Sequence, residues 1–162
     1  MNFACVCYGN KYSIEYVQKL YNMVQRHTTL EHNFFIFTDN MEMEIDGHVN
    51  IRTFPMVNLQ GWWNKMQLFH PGILEGTTLY MDLDVVITDN IDCFFTYEPE
   101  ADFVGMNDFN PDTKIFNSSV FRFEPEAMKD KLWQPFINDR ERWLRYSGDQ
   151  NVISEVIMKH PE

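Results

Sequence analysis

Asp82 and Asp84 stand one residue apart at the end of an apolar run, in Leu79-Tyr80-Met81-Asp82-Leu83-Asp84-Val85-Val86. Two carboxylates this close repel each other, and each loses hydration where it is buried. A divalent cation relieves both costs. Mg²⁺ and Mn²⁺ take oxygen ligands and are commonly held by one or two carboxylates together with substrate phosphates and water. On extended backbone, side chains at i and i+2 point the same way, so both aspartates are expected to reach one ion. Asp82 and Asp84 are therefore the candidate ligands for Mn²⁺ or Mg²⁺. An EF-hand is excluded. Val86 and Ile87 occupy positions where that loop needs a ligand and a glycine, and no glutamate stands at its twelfth position. The competing chemistry is nucleophilic, with one carboxylate attacking phosphorus and the other acting as general acid.

The elements that must position these groups alternate in type. Phe3 to Cys7 is an apolar run that reads as a first strand, and Tyr8-Gly9-Asn10-Lys11-Tyr12 as a turn. Ser13 is placed as an N-cap, after which Ile14, Val17, Leu20 and Val24 recur at helical spacing. Asn33 to Thr38 reads as a buried strand ending at Asp39-Asn40, and Val49 to Phe54 as a third. Trp62, Met66 and Phe69 mark one face of a short helix stopped at Pro71-Gly72. Leu79 to Met81 leads into the paired aspartates. Asp102 to Met106 and Ser119 to Phe123 are further strands, and helices are expected at about 126–138, limited by Pro135, and at 149–158. Strand–helix–strand alternation predicts an α/β sandwich with a mostly parallel sheet. Ligands in such sheets bind at the carboxyl ends of strands. Tyr8-Gly9-Asn10, Asp39-Asn40, Asp82/Asp84 and Asn107-Asp108 all fall at strand ends.

Composition sets limits. The 162 residues fit one domain, 1–162, and the formal net charge of -11 argues against a nucleic-acid surface. A phosphorylated small molecule stays compatible with that charge, because a metal neutralises phosphate locally. The N-terminus lacks the pattern of a signal peptide, and no apolar run approaches the roughly 20 residues of a membrane helix. Cys5, Cys7 and Cys93 show no Cys-x-x-Cys spacing and read as small apolar core residues of a reducing, cytoplasmic protein. The chain stops just after a helix with no closing strand, which reads as a truncated or unusually short chain.

An apolar strand followed by Asp-x-Asp resembles the DxD motif of nucleotide-sugar glycosyltransferases of the GT-A fold. Further segments agree in order and spacing with the family-8-like enzymes of bacteria and phages. These are Trp62-Trp63-Asn64-Lys65-Met66 ahead of the motif, Phe116-Asn117-Ser118-Ser119-Val120-Phe121-Arg122-Phe123 after it, and Gly148-Asp149-Gln150-Asn151 at a late helix start. The resemblance implies a GT-A-like, Rossmann-type sandwich with a mostly parallel mixed sheet. It also implies metal-dependent transfer of a sugar, with retention of configuration, from a nucleotide-diphosphate donor to an acceptor glycan or protein. A UDP-sugar is the expected donor. The chain departs from the family at its end, where His160 is the late histidine and no His-x-x-Gly surrounds it. The same Asp-x-Asp also resembles the first motif of haloacid-dehalogenase-like phosphatases. That family opens with the motif strand, whereas about 80 residues precede it here. A non-catalytic module that binds a nucleotide-sugar or a glycan is the third reading.

Roles follow for single residues. Tyr8, Gly9, Asn10 and Tyr12 are expected around the donor base and ribose, where Gly9 permits close backbone approach and a tyrosine ring can stack. Asp39 is expected to accept a bond from the base. Lys65, in apolar company, is expected to face an anion, the diphosphate or donor hydroxyls. Its removal should weaken donor binding with little change in melting temperature. Trp62 and Trp63 read as core or wall residues. Asn107, Asp108 and Asn117 are placed to bond sugar hydroxyls. Asp149 and Gln150 start a helix, and the resemblance puts that position beside the anomeric centre, so Asp149, Gln150 and Asn117 are the catalytic candidates.

Overall fold

The computed structural model describes residues 1–56, 58–110, 112–113 and 115–159. His160 lies outside the described residues. Strands β1 (Asn2–Cys7), β2 (Asn33–Thr38), β3 (Asn50–Arg52) and β4 (Thr78–Met81) run parallel to one another. Strand β6 (Phe116–Phe123) is antiparallel to β4, and β5 (Phe103–Asn107) is antiparallel to β6. The six form one sheet in the order β3-β2-β1-β4-β6-β5. The expected α/β architecture with a mostly parallel mixed sheet is what the chain adopts. Because β5 and β6 are antiparallel to each other, the start of β6 shares a rim with the ends of β1, β2, β4 and β5. Every segment read from the sequence as chemistry-bearing therefore reaches one rim.

The sheet alternates its side chains between two apolar layers. On one face, Phe3, Cys5 and Cys7 of β1 and Leu79 and Met81 of β4 pack against α1 (Ile14–His27) through Val17, Leu20, Tyr21 and Val24. That i, i+3, i+4, i+7 stripe is what makes α1 a helix of this core, each buried aliphatic side chain contributing about 1.5–3 kcal/mol. On the other face, Ala4, Phe37, Tyr80, Phe121 and Phe123 meet the segment Gly61–Phe69 and the C-terminal helices. Those helices are α3 (Pro125–Met128), a π turn Lys129–Trp133, α4 (Gln134–Asn138), α5 (Arg140–Trp143) and α6 (Asp149–Lys159). Pro135 has no N–H to donate, and the π turn ahead of it carries the helix through rather than ending it. The short helix α2 (Cys93–Thr96) follows β4 on the α1 face.

Several bounds and contacts differ from the expectation. The third strand is shorter than 49–54, and β6 begins at Phe116 rather than Ser119, because Phe116 and Asn117 pair with Asn107 and Met106 beyond a bulge at Gly105/Met106. Ser13 occupies the N-cap position on extended backbone but makes no side-chain capping bond. Cys5 and Cys7 are buried as expected, but Cys93 is exposed at the start of α2. Gly61–Phe69 is a 3-10 helix, not an α-helix. With three residues per turn its core row is Trp63, Met66 and Phe69, whereas Trp62 shares a row with Lys65 and Leu68. Met66 and Phe69 are fully buried; Trp62 is 59% exposed.

Candidate functional site

Two adjoining cavities open along the rim. The first, of about 730 Å³, is walled by the end of β1, the loop into α1 and the end of β2; Gly9, Asn10, Tyr12, Asp39 and Met43 are among its lining. The second, of about 520 Å³, lies over β4 and β6, and Tyr8, Lys11, Tyr12, Lys65, Asp82, Asp84 and Asp149 are among its lining. Tyr12 lines both. Gly9 adopts φ +65, a left-handed turn that aims its N–H at the two Asp39 oxygens, each 3.2 Å away. Asp39 is thereby spent partly on the backbone of the turn that forms the first cavity.

The second cavity is organised by one buried cation. Lys65 Nζ lies 3.1 Å from Asp82 Oδ1 and 3.0 Å from Asp149 Oδ2. It also donates to the Ser118 carbonyl and hydroxyl oxygens at 3.0 and 3.2 Å. The Lys65 and Asp149 side chains are 7% and 8% exposed, and that of Asp82 is 27% exposed. An ammonium has three N–H groups, and four acceptors surround this one, so Lys65 has no donor left over in this arrangement. Sequence explains how the trio meets. Asp82 follows β4 on the Tyr80 face, Lys65 projects from the 3-10 helix that covers that face, and Asp149 opens α6 beside it. Tyr80 donates its hydroxyl to Asp82 Oδ1 at 2.5 Å. Burial first, and the charge of Asp82 second, push the Tyr80 phenol well above its ordinary range, so it stays a donor.

Asp84 reaches the cavity by a different route than the strand alternation predicts. The chain leaves β4 at Met81; the Asp82 N–H takes a last ladder bond to Ser119 O, and the backbone then turns, with Val85 N–H donating to Asp82 O at 3.2 Å. Buried Leu83 anchors the turn in the α1 layer. Tyr12 donates its hydroxyl to Asp84 Oδ2 at 2.6 Å, and that bond is the leading cause of the raised Tyr12 pKa. Lys11 lies 4.6 Å above the Tyr12 ring. On the far side, Gln150 lines the cavity and its Oε1 accepts from the Ser118 N–H at 3.2 Å. Asp149 Oδ2 is buried and held to Lys65 by charge, without a well-aligned hydrogen bond.

Of the residues singled out from the sequence, Tyr8, Tyr12, Lys65, Asp82, Asp84, Asp149 and Gln150 converge on the second cavity. Gly9, Asn10, Tyr12 and Asp39 line the first. Asn107, Asp108 and Asn117 share the rim but are absent from the described linings of either. Asp108 bonds Phe109 and Thr113 next to it, and Asn117 Oδ1 accepts from the Ser119 N–H. Lys11, Tyr80, Ser118, Ser119 and Ser147 line the second cavity and were not singled out. A signal existed for Tyr80, which sits at i−2 from Asp82 on the same face of a strand.

The charge balance of the second cavity tests whether a metal suits it. Three carboxylates (Asp82, Asp84, Asp149) outnumber two ammonium groups (Lys11, Lys65) in its lining. A diphosphate entering alone meets net repulsion, which a divalent cation reverses. Among the described residues no three His, Cys, Asp or Glu side chains form a metal cluster. A divalent ion at Asp82 and Asp84 would have two protein carboxylates at most and would need phosphate and water to fill its shell.

Comparison with known proteins adds the fold. No protein-family model matches the chain, and no curated protein matches it in sequence. Solved structures do. The glycosyltransferase GlyE of Streptococcus pneumoniae TIGR4 superposes with a TM-score of 0.69 at 12% identity, over 96% of this chain and 42% of GlyE. The galactosyltransferase LgtC, solved with donor and acceptor sugar analogues, superposes with a TM-score of 0.69 at 14% identity, over 94% of this chain and 69% of LgtC. The chain has the fold of these glycosyltransferases. It spans less than half the length of GlyE. Among the described residues, no helix is long and apolar enough to cross a membrane.

Proposed function

We propose that the protein is a metal-dependent glycosyltransferase, moving a sugar with retention from a nucleotide-diphosphate donor, a UDP-sugar, to a hydroxyl of a glycan or protein. The observation that carries this reading is the bridge Asp82–Lys65–Asp149, with contacts of 3.1 and 3.0 Å, at the rim of a sheet with the glycosyltransferase fold. It joins a carboxylate of the Asp-x-Asp pair to one at a helix start, the two ends between which a transferring sugar has to lie.

In this reading the base and ribose take the first cavity, against Tyr12, Asn10 and the Gly9 turn. Asp82 and Asp84 would hold Mn²⁺ or Mg²⁺, which when bound would supply the positive charge that offsets a departing diphosphate. Lys65 is a positioning residue: it fixes Asp82 and Asp149 and offsets their repulsion. Asp149 orients a sugar hydroxyl and stabilises the positive character that develops at the anomeric carbon. The Gln150 amide donates to the sugar or to the leaving group. The acceptor hydroxyl attacks after alignment in the same cavity. The phosphatase alternative fits less well, because the motif strand is the fourth of six rather than the first.

A thermal-shift screen of nucleotide-sugars tests the reading. A donor at 100 times its Kd stabilises the folded state by about 2.7 kcal/mol, so one nucleotide-sugar should raise Tm clearly with Mn²⁺ and much less with chelator. Equal, null shifts across the panel with and without Mn²⁺ would contradict it.

A further inference from the structure

The geometry points to Trp62 as the platform on which the acceptor docks, and to a saccharide as that acceptor; this rests on the glycosyltransferase reading above. Trp62 is a residue type that usually buries its ring, yet 59% of it is exposed at the second cavity. Among the described residues no ring, cation or hydrogen-bond partner engages it, whereas its neighbour Trp63 stacks on Phe136. The 3-10 period accounts for its place. Trp62 stands one turn before Lys65 in the same row, so the exposed indole and the buried lysine line the same cavity. Gly148 lies beside it: a Cβ there would sit 3.9 Å from the indole Nε1, in ordinary van der Waals contact.

The contacts order the site from one end to the other. The first cavity reaches Tyr12, Tyr12 bonds Asp84, Asp82 bonds Lys65, Lys65 bonds Asp149, and Asp149 follows Gly148 beside Trp62. A donor laid along this series, base first and diphosphate at the paired aspartates, ends its sugar near Asp149. The group that attacks that sugar enters from the Trp62 end. The chemistry there suits a pyranose. One face of such a ring is C–H and packs on an aromatic plane, while its hydroxyl edge needs donors and acceptors. Ser147, Ser119 and the Gln150 amide line the same cavity and supply them. Among the described lining residues the charged groups at this end are Lys65 and Asp149, engaged with each other and with Asp82, and the excess of carboxylates disfavours an acidic acceptor.

Calorimetry with wild type, Trp62→Ala and Trp62→Phe tests the assignment, using methyl glycosides of glucose, galactose and N-acetylglucosamine and their 1,4-linked disaccharides, with UDP and Mn²⁺ present. UDP affinity is measured in a separate arm. At least one saccharide should bind wild type. Its affinity should fall about tenfold or more in Trp62→Ala and return to within about threefold in Trp62→Phe, and the saccharide loss should exceed any UDP loss by about tenfold. Saccharide affinity in Trp62→Ala within about twofold of wild type would overturn the proposal. So would a wild-type protein that binds none of the panel, whatever the UDP arm shows. Absence of UDP binding, with saccharide binding still lost in Trp62→Ala, would instead sink the glycosyltransferase reading and leave a glycan site at Trp62.

Discussion

Removing Lys65 should do more than weaken a ligand. The sequence alone suggests a lysine whose loss leaves Tm unchanged; the structure shows it 5% exposed and bound to two carboxylates and to Ser118. Lys65→Ala leaves Asp149 buried, Asp82 largely buried, and both without their cation. Breaking a buried pair from one side costs about 3–5 kcal/mol, because the surviving charge has lost both water and partner. For a chain of 162 residues, each kcal/mol moves Tm by about 2–4 °C, so Lys65→Ala should melt about 6–20 °C lower. Urea titration should show the loss as a lower midpoint at unchanged slope. Adding Asp149→Asn to Lys65→Ala should cost less than the sum of the single changes, by about 1–3 kcal/mol, since the second change removes the orphaned charge. A Lys65→Ala protein melting within about 1 °C of wild type, or strict additivity in the double variant, would refute the argument that Lys65 holds the two carboxylates in place.

Three further outcomes follow from other contacts. Asp84→Ala should abolish the gain in UDP affinity that Mn²⁺ confers while leaving the fold intact, since Asp84 faces a cavity and its partner Tyr12 is a surface phenol; calorimetry with Mn²⁺ and with chelator reads it. Arg122→Met should destabilise by about 3–4 kcal/mol in urea, because the buried guanidinium satisfies the carbonyls of Phe94, Tyr97, Glu98 and Ala101, and the carbonyls left behind in its absence lose both protein and water partners. Asp92 accepts bonds from Thr28, Thr29 and Asn90, which lower its pKa from 3.8 to about 2. A carboxyl depressed by folding stabilises fully above its unfolded pKa and loses that contribution as pH falls through the folded value. Asp92→Ala should therefore cost about 1 kcal/mol at neutral pH after allowing for solvent screening. That difference from wild type should shrink as pH falls from 3.8 toward 2 in acid urea titrations.

The parts of the fold that could be read in advance are those governed by local pattern. Short apolar runs bounded by turn residues placed the strands, and the stripe Val17, Leu20, Val24 placed α1, because a helix with one apolar face has that face to bury. The segment 61–69 was harder. Over nine residues a period of 3.0 and one of 3.6 differ by little, and Trp62-Trp63 offers an aromatic residue to either, so the wrong tryptophan was assigned to the core. The turn after Asp82 was hidden for a related reason: Asp-Leu-Asp reads as continued strand, and buried Leu83 supports that reading until Val85 closes the turn. Arg122 sits between Phe121 and Phe123, where alternation suggests a solvent-facing charge. Its burial depends on the carbonyls of residues 94–101, more than 20 positions away, and no local pattern encodes that. The residues of the second cavity that were singled out stand at or just after a strand end or at a helix start, except Lys65, which was marked by its apolar neighbours inside the 3-10 helix. Asn107, Asp108 and Asn117 met the same criterion and fell outside the linings, since sharing a rim does not make a side chain point into a cavity.

The most direct test is product formation. The protein is incubated with Mn²⁺ and a panel of nucleotide-sugars, with and without saccharide acceptors, and nucleoside diphosphate is quantified; a parallel reaction measures phosphate released from p-nitrophenyl phosphate. Water replaces a missing acceptor slowly, so nucleoside diphosphate should appear from one donor, rise with an acceptor, and vanish in Asp84→Ala. Phosphate released from the monoester and lost in Asp82→Asn, with no nucleoside diphosphate from any donor, would contradict the account and assign the paired aspartates to phosphoryl transfer.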